Sequence, residues 1–245
     1  MHVQKVMLFG IATVLLASQA MLSADEAKVS GTPSAAAMMQ AAHDGRMVWN
    51  NFPGFTARVR CTADGSVVEG QLKVKPDGSI ELDLPKDERF AWAEKTLDSV
   101  AGHRLPNGDA ETNVEFADDQ EKHPGGRLIR SKGEASKNLW RVQGDLLTEV
   151  QRTGKDSRFI ISVTDVWRTP EGKHLPRDFV VTTWALPSQQ IKSVRQVHNE
   201  WKRVGGFDLP SKMLAITNTS DGKGIAQQIE FFDQAVSTAS VAAKP

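Results

Sequence analysis

The chain has 245 residues, in which 30 Lys and Arg offset 30 Asp and Glu. Neither sign gathers into a long block, which excludes the electrostatic footprint of a nucleic-acid binder or of a protein held on an anionic membrane surface. A lone Cys excludes an intramolecular disulfide framework, so the fold must rest on its core.

At the N-terminus, His2 and Lys5 precede a largely apolar run from Val6 to Leu16, then small and polar residues up to Ala20 and Ala24, then Asp25 and Glu26. Charged, apolar and small regions in that order form a secretory signal. The run falls short of the ~20 apolar residues that span a bilayer, and no later stretch is long and apolar enough to do so. Cleavage after Ala20 uses Ser18-Gln19-Ala20. Cleavage after Ala24, which we prefer, uses Leu22-Ser23-Ala24 and leaves acidic residues at the new terminus. Lipid attachment needs a Cys directly after the cleavage site, and the only Cys is Cys61. The expectation is an exported soluble protein, periplasmic or secreted, with neither a transmembrane segment nor a lipid anchor. Residues 25–36 read as a flexible leader, 37–236 as one β-rich domain large enough for its own core, and 237–245 as a disordered tail.

The first element reads as a helix from Ala35 to Trp49, where Met38, Ala42 and Trp49 set an apolar stripe on one face. Asn50-Asn51-Phe52-Pro53-Gly54 ends it and turns the chain into a strand. From Phe55 the period becomes two: Phe55, Ala57, Val59 and Cys61 alternate with Thr56, Arg58, Arg60 and Thr62. Asp64-Gly65 and Asp77-Gly78 then lead into Val67 to Val74 and Ile80 to Leu84, and Asp-Gly between alternating runs is a strong hairpin signal. A weakly amphipathic helix is predicted from Asp87 to Val100, with Phe90, Trp92, Leu97 and Val100 among charged neighbours.

Short strand-like runs follow: Val114 to Phe116, Leu128 to Ser131, Leu139 to Val142, Leu146 to Arg152, Phe159 to Trp167, Phe179 to Leu186, Val194 to Val204, Lys212 to Asn218 and Ile225 to Phe232. Turn signals recur every ~10 residues, which marks an antiparallel meander, because parallel strands need long crossovers. The predicted class is mainly β (α+β): a curled antiparallel sheet or half barrel packed against an N-terminal helix and a second helix near 87–100.

The stretch from Ala42 to Ala57 holds Arg46 and Trp49, followed by Phe52-Pro53-Gly54-Phe55. It resembles the opening motif of bacterial domain-of-unknown-function family 3386, in which an Arg, a Trp and then Phe-Pro-Gly-aromatic join a helix to the first strand. The resemblance implies a relative and no activity, since the family has none assigned. A second stretch, from Trp201 to Pro210, resembles the paired-strand turn of periplasmic lipoprotein carriers. That resemblance implies an exported sheet curled around helices, with a cavity for acyl chains.

The chemistry is sparse. His2, His43, His103, His123, His174 and His198 are scattered, and no His-x-x-x-His or Cys-x-x-Cys spacing sets two ligands on one metal. No nucleophile elbow or phosphate-cradling loop is present, and nothing around Cys61 resembles a Cys and His catalytic pair. Cys61 reads as a small, half-buried strand residue, and Asp118-Asp119 as a solvated turn rather than an acid/base pair. No cofactor or metal is expected, and catalysis has no positive support. Arg46 and Trp49, three apart on the predicted helix, would be neighbours, and a guanidinium on an indole would be a favourable contact. Such a pair either fixes the helix to the sheet or forms part of a site. Phe52, Phe55, Trp167, Trp184, Phe207 and Phe231 either line an apolar ligand cavity or fill the core. The leading expectation is a non-enzymatic cell-envelope protein that binds a lipid or other apolar molecule. Its rivals are a structural or protein-interaction module with a filled core, and an enzyme with an unrecognised site.

Overall fold

The computed structural model describes residues 32–237 apart from 107, 119–121 and 134–137. The signal region, the leader up to residue 31 and the tail from 238 lie outside the described residues. Helix α1 (Ala35–Gly45) opens where Ser34, in extended backbone, accepts a hydrogen bond on its side chain from the Ala37 N–H at 3.2 Å. Ala35 and Ala36, read as leader, are its first residues.

The helix ends at Gly45, four residues before the Trp49 that periodicity predicts. Arg46 turns extended (φ −70°, ψ 140°) and forms a parallel bridge to His174. The Met47 N–H then donates to the His174 carbonyl at 2.9 Å, and the Trp49 N–H to the Arg104 carbonyl at 2.6 Å. Long-range backbone hydrogen bonds thus replace the helical ones. Gly45, a poor helix former, also lies so close to the Asp145 carbonyl that an added Cβ would stand 2.4 Å from its oxygen.

Twelve strands follow: β1 (Phe55–Ala63), β2 (Ser66–Val74), β3 (Ile80–Asp83), β4 (Val114–Phe116), β5 (Arg127–Ser131), β6 (Asn138–Gln143), β7 (Leu146–Thr153), β8 (Ser157–Arg168), β9 (His174–Ala185), β10 (Ile191–Val204), β11 (Phe207–Thr219) and β12 (Gly224–Val236). A 3₁₀ turn (Glu88–Phe90) and helix α2 (Ala91–Arg104) lie between β3 and β4, so the helix runs four residues beyond the Val100 end that was predicted. Strands β9 and β11 start earlier than the alternation suggests because each contains a proline that reads as a break. Pro176 and Pro210 instead sit at irregularities of the ladder, opposite Val166 and Trp201, where a missing N–H is tolerated.

All twelve strands form one antiparallel sheet in the order β3-β2-β1-β12-β11-β10-β9-β8-β7-β6-β5-β4. Edge strands β3 and β4 do not pair, so the sheet is not closed into a barrel. The α2 segment carries the chain from one edge to the other. Among the described residues, no helix is long and apolar enough to cross a membrane.

The register shows that both helices cover the same face. One cross-strand row runs Ile129, Trp140, Val150, Ile161, Val181, Arg195. Ile129 and Trp140 pack in a core with Ala35, Met39 and Ala42 of α1. A second row runs Asn199, Met213, Ile229, Cys61. Its last three members pack in a core with Ala93, Leu97 and Ala101 of α2. Arg195 and Asn199 are four apart on β10 and therefore share a face. Between these two cores the cover is thin: of β7, β8 and β9, only His174 and Leu175 are buried.

Candidate functional site

The opening motif is a packing device. Trp49 is 1 % exposed, and its Nε1–H donates to the Asp208 carbonyl at 3.1 Å. Its ring stacks on Phe52 with centroids 4.5 Å apart and meets Phe55 edge-on at 6.2 Å, while Phe52 meets Phe207 edge-on at 5.4 Å. Gly54 holds φ +89°, and a Cβ there would lie 2.5 Å from the Val74 carbonyl oxygen, so this turn requires glycine. Trp49, Phe52, Phe55 and Phe231 belong to one buried cluster, with half-buried Phe207 packed against it.

The Arg46–Trp49 helical neighbour pair does not form, because the helix stops before either residue. Arg46 is half-buried and donates through Nε to the His43 carbonyl at 3.2 Å, and burial lowers its pKa. The guanidinium nearest an indole in this region is Arg104, 5.9 Å above the Trp201 ring. Trp184 lies on the opposite sheet face from Val181 and Arg195, and Arg158 covers its ring at 4.6 Å. Trp167, near the end of β8, is 36 % exposed.

None of these eight residues lines the pocket described next. An open pocket of about 310 Å³ lies between α2 and the middle of the sheet. Trp92, Lys95, Thr96, Ser99 and Val100 wall it from the helix side. Their spacing places them on one helical face. The sheet wall is the row Phe179, Val197, Ala215, Gln227, flanked by Arg195 on one side and by Asn199 and Met213 on the other. The Trp92–Thr96–Val100 spacing, and the alternation of Arg195, Val197 and Asn199, were the available signals in the sequence. They point to a shared wall only once the register is known.

Several polar atoms of this wall lack partners. The Trp92 Nε1–H and Asn199 Oδ1 are buried without a hydrogen bond, although Asn199 Nδ2 donates to the Pro176 carbonyl at 3.4 Å. Half-buried Arg195 forms no ion pair among the described residues, and burial lowers its pKa.

Three titratable groups elsewhere are tied into the fold. Cys61 is fully buried rather than half-buried, and burial pushes its thiol up to about 11, which removes the thiolate a nucleophile needs. His174 is buried, and burial drives its pKa down to about 4 against the pull of Asp145, whose carboxylate lies 4.0 Å away. His198 pairs with Asp178 at 2.6 Å on the opposite sheet face from Val197. Among the described residues, no group of three His, Cys, Asp or Glu is placed to hold a metal ion.

The family model for a protein of unknown function, DUF3386, matches residues 30–236. The chain belongs to the DUF3386 family. A comparison with curated proteins gives no match. Among solved structures, a LolA superfamily protein from Nitrosomonas europaea is similar at 8% identity and a TM-score of 0.29, over 84% of this DUF3386 chain and 95% of that one. A candidate outer membrane lipoprotein-sorting protein domain from Vibrio parahaemolyticus is similar at 9% identity and a TM-score of 0.31, over 83% and 92% of the two chains. A DUF1329 family protein from Desulfovibrio piger is similar at 8% identity and a TM-score of 0.28, over 87% and 96%.

Proposed function

We propose that this DUF3386 protein is an exported, non-enzymatic cell-envelope protein that takes up an apolar small molecule between α2 and the sheet. One observation carries the reading: a cavity of about 310 Å³ walled by Trp92, Val100, Phe179, Val197 and Ala215. Ligand pockets have such mostly apolar and aromatic walls, and their volumes begin at about 300 Å³. The thinly covered face of β7 to β9 adjoins it and supplies a route for entry. In this reading the sheet curls as a half barrel around both helices, and residues 1–24 act as a cleavable signal.

The rival module with a filled interior has one observation in its favour, the solid packing of Trp49, Phe52, Phe55 and Phe231. The two readings part in a binding experiment with the neutral fluorescent probe N-phenyl-1-naphthylamine. Uptake by the wild-type chain, lost in Val197→Trp while thermal unfolding stays cooperative, is the expected result. Absence of uptake, or uptake that Val197→Trp leaves unchanged, hands the conclusion to the rival.

A further inference from the structure

The pocket wall contains two cations, Lys95 and Arg195, and no Asp or Glu. Arg152 and Arg158 lie over the rings of Trp140 and Trp184, but several strand arginines find carboxylates: Arg60 pairs with Glu69, Arg130 with Glu115, Arg168 with Asp145 and Arg203 with Glu171. The register explains why Arg195 does not. Its cross-strand partners are Val181 and Thr217, and its same-face neighbours on β10 are Ser193 and Val197, so no anion faces it from the sheet. Lys95 and Ser99 stand on the helix wall of the same pocket.

A donor without a partner stands in the same wall. The start of the α2 segment is fixed by Arg89, which donates to Ser66 Oγ at 2.7 Å, and Ser66 lies in the cross-strand row of Ala63, Gln227, Ala215 and Val197. Its last residue, Arg104, lies over Trp201, farther along β10. The helix therefore starts level with the Val197 row, and Trp92, in its first turn, adds a buried and unpartnered Nε1–H to the pocket wall that Arg195 also lines. The opposite end carries Asn199 and Met213, about 13 Å along the strand from Arg195. The pocket thus sets two donors, the Arg195 guanidinium and the Trp92 Nε1–H, beside the apolar row of Phe179, Val197 and Ala215.

Resting on the uptake of an apolar molecule proposed above, we infer that the ligand is a single-chain anionic amphiphile, whose acidic head is met by Arg195 and Trp92 and whose alkyl chain lies along Val197, Phe179 and Ala215. The shared head chemistry is an oxyacid, either a carboxylate or a phosphate monoester. Both match a guanidinium fork, and a charge-assisted hydrogen bond in a part-buried pocket is stronger than a neutral one. Burial of Arg195 without a counter-ion lowers its pKa, and a bound anion would reverse that cost.

The test is competition against N-phenyl-1-naphthylamine by dodecanoate, dodecyl phosphate and dodecanol. The anions are expected to displace the probe at about tenfold or more lower concentration than dodecanol. Arg195→Gln should erase that preference, Arg195→Lys should retain part of it, and Trp92→Phe, which removes the N–H and keeps a ring, should reduce it. Dodecanoate acting better identifies a free fatty acid as the source, and dodecyl phosphate acting better identifies a phosphate-headed lipid. Dodecanol competing as well as the anions in the wild-type chain overturns the inference while leaving apolar uptake intact. So does a preference that survives Arg195→Gln. Failure of the probe itself to bind removes both readings.

Discussion

The two ends of β10 show how one sheet face can be packed solid in one place and left open in another. Near Trp201 the face meets the linker from Arg46 to Gly54, whose buried Trp49 and Phe52 pack into the core above β1, β11 and β12. Near Arg195 the same face meets the mixed side of α2, where Lys95, Thr96 and Ser99 stand between Trp92 and Val100 and leave a gap. Strand chemistry is similar at both ends. What differs is the covering element: aromatic, rigid and hydrogen-bonded at one end, a weakly amphipathic helix at the other.

The largest effect that would break this contrast lies at Trp49. Trp49→Ala removes a fully buried indole and its bond to the Asp208 carbonyl, and is expected to cost about 3 to 5 kcal/mol in chemical denaturation. A loss below about 1 kcal/mol would show that this end is as loosely filled as the other. Next comes Gly54→Val, which forces a β-branched side chain to φ +89° and against the Val74 carbonyl. The expected cost is about 2 kcal/mol or more, and unchanged thermal unfolding would show the turn to be unconstrained.

His174 gives a pH-dependent version of the same comparison, since it is buried where α1 hands over to the linker. Its folded pKa of about 4 lies below the usual 6.5, so the native state holds this imidazole neutral and the unfolded chain binds the proton first. Its contribution is fully present above about pH 6.5 and is lost as pH falls from there toward about 4. After discounting for solvent screening, the loss is about 1 to 2 kcal/mol. Urea denaturation at pH 7 and pH 4.5 should show a smaller acid-induced drop in His174→Gln than in the wild-type chain, and equal drops would remove His174 as the cause.

The smallest effect is expected at Trp184. It lies half-buried on the face away from both helices, so Trp184→Ala should cost about 1 kcal/mol and leave uptake of N-phenyl-1-naphthylamine unchanged. Loss of uptake in that variant would mean that ligand reaches the opposite face.

Much of this molecule was readable from residues alone, for a physical reason: alternation and Asp-Gly or Gly-Gly turns act over a few residues, so the strands and their antiparallel succession follow from local chemistry. The Phe52-Pro53-Gly54-Phe55 turn was legible in the same way, and so was the family it belongs to. Where the reading failed, a distant partner decided. The helix ends at Gly45 because His174 and Arg104 compete for the backbone of residues 47 and 49, and β9 and β11 run through Pro176 and Pro210 because the ladder shifts there. The site was the least legible part. Aromatic side chains look the same in a sequence whether they fill a core or line a cavity, so Trp49, Phe52 and Phe55 drew attention while Arg195 and Trp92 did not. Only the register, which sets Arg195 beside Val181 and Thr217 with no carboxylate among its sheet neighbours, distinguishes the open end from the filled one. Register depends on which strands meet, and that is settled by the tertiary fold.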